Sequence, residues 1–341
     1  PRTLDAVLID WLVKVGLRAM SRHGVLDTNA RQALDVAIDG TVHKSHARPG
    51  GRRPTGTSPD ARDVPRISSD PDATFRYSNA SKSLEYGHLG LAATVRVGDI
   101  DVPLAVAFAC AGQGETPAMM LALSYFRQSL QTHAPHLRIR SLIGDSGFDA
   151  NAFYRFAHDM GADPIVAPNP SIVCVDPELP RAGDGTTPLC AGNVAMKRHQ
   201  RQGESVVWRC PARCLRTGPG GTKAWVFDPD ICPLGRSCTD APLGPFLSLS
   251  IADNPRQNLP IARNSETFRV RMASRTSVER YFSHQHNALP DRRYRRRHLW
   301  QFGCAMHALA RQAAAVRKTQ RAWLDAFWDH ILPQEATPSA A

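Results

Sequence analysis

The chain has 341 residues, 42 % of them hydrophobic, with a formal charge of +11 and a pI near 9.6. That length supports a large core or two smaller ones. No apolar run approaches the roughly 18 residues that span a membrane. The basic balance favours a polyanionic partner, most simply nucleic acid.

The first 20 residues, PRTLDAVLIDWLVKVGLRAM, read as an amphipathic helix with internal charges, not as a secretory signal. Opening on Pro1 rather than Met implies that an N-terminal piece precedes it. A helix over 3–22 would put Leu4, Val7, Leu8, Trp11, Leu12 and Val15 on one stripe. Asp27 can cap a short helix over 29–34. LDVAID (34–39) reads as a short strand ending in Asp39-Gly40-Thr41. Residues 43–85, polar and rich in Arg, Gly, Pro and Ser, read as a long surface loop. Residues 86–111 read as a β-hairpin turning at Gly98-Asp99. A helix over 115–131, a strand over 137–143, a helix over 149–160 and a strand over 164–168 complete an α/β domain with a mixed sheet.

At 169 the character changes. Residues 169–245 are rich in Pro, Gly and Cys with short β-like pieces, the pattern of an inserted subdomain. From 261 to 331 the chain reads as helical, with one helix through SETFRVRMASRTSVERYFSHQHN and a long Ala-rich one over 298–331. The tail 332–341 reads as disordered, and residues 1–33 as a separate N-terminal helical segment. The domain scheme is thus 1–33, then 34–168 as the first part of a core, 169–260 as the insertion, and 261–331 as the core's helical close.

Three acids stand out. Asp39 and Asp145 each follow a β-rich run, and strand ends are where α/β sheets place their chemistry. Glu279 lies on a helix with Arg275 four residues before it and His286 seven after, and Arg271 extends the same stripe. Clustered carboxylates suit Mg²⁺ or Mn²⁺, and a pair of such ions clamps the attacking and leaving oxygens of a phosphoryl displacement. Each acid also has an ordinary reading: two turn residues and a solvated glutamate paired with Arg275.

The pieces AIDGT, GDSGFDA and RTSVERYFSHQHN resemble the three acidic motifs of DDE transposases, in the insertion-sequence group that includes the IS4-like and IS1182-like enzymes. SSDPDATFRYSN…YGHLGLAATV and FGCAMHALARQAAA resemble the segment after the first Asp and the C-terminal helix of the same enzymes, so the likeness spans roughly 30–317. It implies an RNase H-like core, a mixed sheet flanked by helices and interrupted by the Cys-containing β-rich insertion. It further implies Asp39, Asp145 and Glu279 as catalytic ligands of two Mg²⁺ (or Mn²⁺) ions, and double-stranded DNA, both element ends and target, as substrate. A homodimer and a bacterial cytoplasmic, nucleoid-associated location go with that reading. The pattern Tyr, Arg, Glu, Lys on the glutamate helix of IS4-like enzymes is met by Arg275 and Glu279, but Met272 and His286 occupy the other two places.

Arg292, Arg293, Arg295, Arg296 and Arg297, with Arg275 and His286, are the expected DNA contacts. Tyr294 and Trp300 offer rings for a splayed base. His43 and Lys44, and Arg48, Arg52, Arg53, Arg62 and Arg66, form a weaker basic set. Eight cysteines, six of them between 174 and 238, fit reduced thiols or a local metal site better than a secreted disulfide framework. Cys210, Cys214, Cys232 and Cys238 could supply four thiolates to a structural Zn²⁺, with Cys174 and Cys190 as spares. The alternative is a set of reduced, partly buried cysteines. Cys110 and Cys304 lie in apolar runs and read as core. Two rivals to a transposase remain: a two-metal DNA nuclease without strand transfer, and a DNA-binding remnant without catalysis.

Overall fold

The computed structural model describes residues 3–26, 33–47, 51–54, 63–66, 69–78, 82–171, 179–218, 221–234, 238–239, 241, 244–289 and 296–331. The chain is mixed α/β, with a sheet that contains both antiparallel and parallel pairs and is flanked by helices. It divides into two compact units: unit 1 is Pro1–Arg140 with Ser274–Ala341, and unit 2 is Ser141–Ala273.

Unit 1 opens with α1 (Leu4–Trp11), a π-helical turn (Leu12–Leu17) and α2 (Arg18–Arg22). The Thr3 hydroxyl caps α1 by accepting the Ala6 amide. Leu4 and Val7 lie on the open side of α1, ahead of the π turn, whose wider winding shifts the apolar stripe only from Leu12 onward. Ile9, Leu12, Val13, Leu17 and Met20 are fully buried, while Leu4, Val7 and Val15 face solvent.

The strands of unit 1 that come next are β1 (Ala33–Lys44), β2 (Gly51–Pro54), β3 (Asp63–Arg66), β4 (Thr74–Ser78), β5 (Ser83–Val97) and β6 (Ile100–Cys110); β1, β4, β5 and β6 belong to the main sheet, and β2 and β3 form a separate hairpin. β1, β4 and β6 all run antiparallel to β5. The hairpin expected at Gly98-Asp99 is present, and Gly98 takes the positive φ (59°) such a turn demands. β1 does not stop at Asp39 but continues to Lys44, because its residues stay paired with β5 as far as Gly87. Ala33 and Leu34 belong to β1 rather than to a helix, and 29–32 lie outside the described residues. The stretch 43–85 is not one loop, since it holds the end of β1, the β2–β3 hairpin, β4 and the start of β5.

α3 (Glu115–His133) follows β6, and β7 (Arg138–Gly144) opens beside β1, where the Arg140 guanidinium forks onto Asp35. Most of β5 and β6 is buried because both faces are covered. On one face Ala118 and Ala122 of α3 line a cavity with Leu91, Ala107 and Ala109.

In unit 2 the end of β7 pairs in parallel with β8 (Asp163–Val166), joined through a 3₁₀ turn (Ser146–Phe148) and α4 (Asn151–Asp159). Then come β9 (Lys197–Gln202), β10 (Ser205–Arg209), β11 (Arg213–Thr217), β12 (Lys223–Phe227) and β13 (Phe246–Ser250). They form a three-stranded antiparallel sheet, β13-β10-β9, and a β11–β12 hairpin. Trp208, Val206, Met196, Ile251 and Ala262 make the sheet's core. α5 (Glu266–Ala273) closes the unit, its Phe268 packed with Ile143, Ile165 and Ile261.

Returning to unit 1, α6 (Thr276–Ala288) and α7 (Arg297–Ile331) cover the other sheet face: Val278, Tyr281 and Phe282 of α6 and Ala305 and Ala308 of α7 pack on Ala37, Ala92 and Val106. The single helix expected over 265–287 is thus two, broken at Ser274-Arg275. The expected tail 332–341 lies outside the described residues.

Candidate functional site

Asp39 sits within β1, directly opposite Ala92 of β5. Cross-strand partners share a face, as do residues two apart on one strand. Ala37, Asp39, Thr41 and His43 therefore point to the face that α6 covers. Ala37 and Ala92 pack on Val278, the residue before Glu279, and His43 meets His286 at a ring separation of 5.4 Å. Asp39 and Glu279 thus belong to the same face of unit 1, with α6 running along β1 from Ala37 toward His43. The opposite face explains Gly40: a Cβ there would lie 2.6 Å from Oε1 of Glu115, whose Oε2 accepts a 2.6 Å bond from Arg76.

The Asp39 carboxylate accepts the Gly40 amide at 2.8 Å. Glu279 is half-exposed (46 %) and takes a 2.5 Å hydrogen bond from Arg275, so the expected helical pair is formed. The Thr94 and Ser277 hydroxyls, both buried and 2.8 Å apart, anchor the first turn of α6 on β5. Arg271 is not part of this helix. It lies on α5 in unit 2, where it donates to Ser141 (2.6 Å) and pairs with Asp163 (3.0 Å), because the break at 274–275 removes it from the stripe.

Asp145 follows β7 as expected and caps the 3₁₀ turn, accepting the Gly147 amide at 2.9 Å. Its neighbour Asp149 does something the sequence did not announce. Fully buried, it takes a fork from Arg256 (2.9 and 2.6 Å), a 3.0 Å bond from Arg263, the Tyr154 hydroxyl at 2.7 Å and the Asn169 amide at 2.6 Å. Burial alone would raise its pKa; Arg256, the Asn169 amide, Tyr154 and Arg263 outweigh burial and hold it below the usual carboxylate range. No local pattern links residue 149 to arginines more than a hundred positions away.

His43 and Trp300 depart from their expected DNA-facing roles. His43 is buried, stacked 4.8 Å from Trp300 and 5.3 Å from Phe108. Burial, then the charges of His286 and His88, push its pKa down to about 3. Trp300 packs with Phe108 and Cys304 in the core, which the apolar spacing of α7 directs. Behind them, buried His88 meets the Asp70 carboxylate at 2.9 Å, and the Ser45 hydroxyl donates to the same oxygen at 2.6 Å. Burial lowers the pKa of His286 as well, so it is a neutral ring near pH 7. Lys44 is exposed and pairs with Glu85 at 3.0 Å.

Of the basic run, Arg296 is exposed and Arg297 begins α7; Arg292, Arg293, Tyr294 and Arg295 lie outside the described residues, as do Arg48 and Arg62. Arg52, Arg53 and Arg66 fall on β2 and β3. Cys210 and Cys232 share a small apolar cluster with Ala212, Phe227 and Ile231. Cys214 is half-buried, Cys238 exposed, and Cys174 outside the described residues. Cys304 is buried as expected and Cys110 half-buried. Among the described residues no group of three or more His, Cys, Asp or Glu side chains is gathered closely enough to hold a metal ion, and no helix is long and apolar enough to cross a membrane. A scan against protein-family models and a search of curated proteins find no match to the chain.

Proposed function

We propose that the chain is a DDE-type DNA strand-transfer enzyme built on an RNase H-like core. The observation that carries the reading is the shared face of Asp39 and Glu279, the first on the central β1 and the second on α6, which packs over it. Two further features support it. Asp145 directly follows a strand, as the second acid of the resembled motifs does, and the chain is strongly basic.

By residue type the three acids suit a hard divalent cation, being carboxylates with no thiol among them, although the three are not gathered into one cluster in this structure. Asp39, Asp145 and Glu279 would hold Mg²⁺ or Mn²⁺, which when bound supplies an activated oxygen nucleophile and stabilises the leaving oxygen. The chain's own residues do the positioning. Arg275 fixes the Glu279 carboxylate at the entrance of α6, and the Thr94–Ser277 hydroxyl pair fixes the helix itself. Glu279 remains half-exposed, open to a phosphodiester. Arg296 and Arg297, at the start of α7, offer charge to the DNA backbone. Duplex DNA is the substrate of this reading, the bacterial cytoplasm its setting, and a dimer holding paired ends its working form. The four-cysteine zinc site stays a separate proposal, tested by zinc content after dialysis.

The test uses the full chain, supercoiled plasmid and a labelled oligonucleotide with Mn²⁺. The expected result is nicking together with covalent joining of the oligonucleotide 3′-OH to plasmid, both lost in Asp39→Asn, Asp145→Asn and Glu279→Gln. Nicking without joining would make the chain a nuclease. Metal-independent binding with no cleavage would make it a DNA-binding protein.

A further inference from the structure

Unit 2 carries a second basic surface, one the carboxylate reading leaves unused. Between Lys197 and Asp228 the sequence places seven Lys and Arg against two acids. The two acids are occupied elsewhere: Glu204 pairs with His158, and Asp228 pairs with Arg216. Strand register sorts the cations. Arg198 and Arg201 stand opposite Trp208 and Val206, on the core side of the sheet, and Arg201 pairs with Asp163. Lys197, Arg209 and Phe246 are direct cross-strand partners and so share the outer face. On the β11–β12 hairpin, Arg213, Leu215 and Thr217 face Phe227, Trp225 and Lys223 in the same way.

The two outer surfaces are joined. The Arg209 guanidinium lies 5.0 Å over the Trp225 ring and donates to the Arg213 carbonyl at 2.6 Å, and Arg213 lies 5.3 Å over Phe227. Leu215 is 50 % and Phe246 45 % exposed, which leaves apolar surface among the cations. None of Lys197, Arg209, Arg213 and Lys223 ion-pairs with a described carboxylate. Cations alone would suit any polyanion. Cations alternating with exposed ring and aliphatic surface suit a strand whose bases are free to stack while its phosphates are neutralised.

We propose that the outer face of β9, β10 and β13 with the β11–β12 hairpin binds single-stranded nucleic acid. The inference stands apart from the catalytic reading, because it needs neither divalent metal nor Asp39.

The experiment is fluorescence anisotropy of a labelled 20-nucleotide oligothymidylate and of a duplex of equal length, with the full chain in EDTA and in Asp39→Asn background, over a salt series. The single strand should bind tighter than the duplex. Lys197→Gln with Lys223→Gln should weaken single-strand binding about ten-fold and reduce the log–log salt slope by about 1.4, two phosphates' worth. Trp225→Leu should weaken it by about ten-fold with the slope unchanged. Leu215→Ser, an exposed change, gives a smaller loss of the same kind and serves if Trp225→Leu fails to fold. The control, Lys14→Gln with Arg18→Gln on exposed positions of unit 1, removes the same charge and should change nothing. Equal loss in the control, or binding of heparin and duplex as tight as the single strand with no effect of Trp225→Leu and Leu215→Ser, overturns the proposal.

Discussion

His43 should make the stability of unit 1 fall with pH. In the folded protein its imidazole is buried (3 % exposed) against Phe108, Trp300 and His286, and its pKa is pushed down to about 3 from 6.5. The unfolded chain therefore binds more protons than the folded one between those two values, and stability is lost as pH falls from 6.5 toward 3. At pH 5 the unfolded imidazole is almost fully protonated and the folded one almost fully neutral, a difference of about 2 kcal/mol relative to pH 8. His286 and His307, also pushed down by burial, add in the same direction. The measurement is urea denaturation followed by far-UV circular dichroism at pH 8 and pH 5, for wild type and His43→Gln. The variant's own cost cancels in the comparison, and its loss between the two pH values should be smaller by about 2 kcal/mol. Equal losses in the two proteins would refute the argument that His43 is held neutral in the core.

Asp149→Asn removes a carboxylate that two buried guanidiniums share, and should cost about 3–5 kcal/mol in equilibrium unfolding. Because the folded carboxylate is held below its ordinary pKa of 3.8, its stabilisation is present above that value and lost as pH falls through the folded one; the variant should lack that acid-side loss. Thr94→Val leaves the buried Ser277 hydroxyl without its 2.8 Å partner and should destabilise unit 1 by about 1–3 kcal/mol, whereas Thr94→Ser should cost less. Gly90→Ala would set a Cβ 2.5 Å from the His43 Nε2, so thermal unfolding should report a loss of about 1–3 kcal/mol. Under the proposed function, Mn²⁺ at about a hundred times its dissociation constant should stabilise wild type by about 2.7 kcal/mol and leave Asp39→Asn unmoved.

Local patterning carried much of the fold. The hairpin at Gly98, α3, β7, α4 and β8 all fall where periodicity and turn residues put them, within a few positions. What periodicity could not see were effects of distant partners. β1 continues past Asp39 because β5 extends to meet it, although Gly40 and Thr41 look like a strand's end. From Leu12 onward the π turn rotates the N-terminal stripe, which no 3.6-residue template anticipates. The chain breaks at Ser274-Arg275, where residue types alone would continue a helix, and Arg271 turns instead to Ser141 and Asp163. At the candidate site, the Arg275–Glu279 pair was legible from spacing alone. The burial of His43 and Trp300 was not, since it depends on β5, β6 and α7 meeting at one place.

The division of unit 1 into Pro1–Arg140 and Ser274–Ala341 sets a timetable for biosynthesis. The sheet face carrying Ala92, Val106 and Phe108 leaves the ribosome well before α6 and α7, which will cover it. The intervening stretch of about 130 residues takes on the order of 10 s to translate at bacterial-type rates. Unit 2, continuous in sequence, can complete itself during that interval, while unit 1 waits as an uncapped apolar sheet. Chaperone dependence should therefore concentrate on unit 1. A message truncated within unit 2 would release a product whose fate is aggregation rather than partial function.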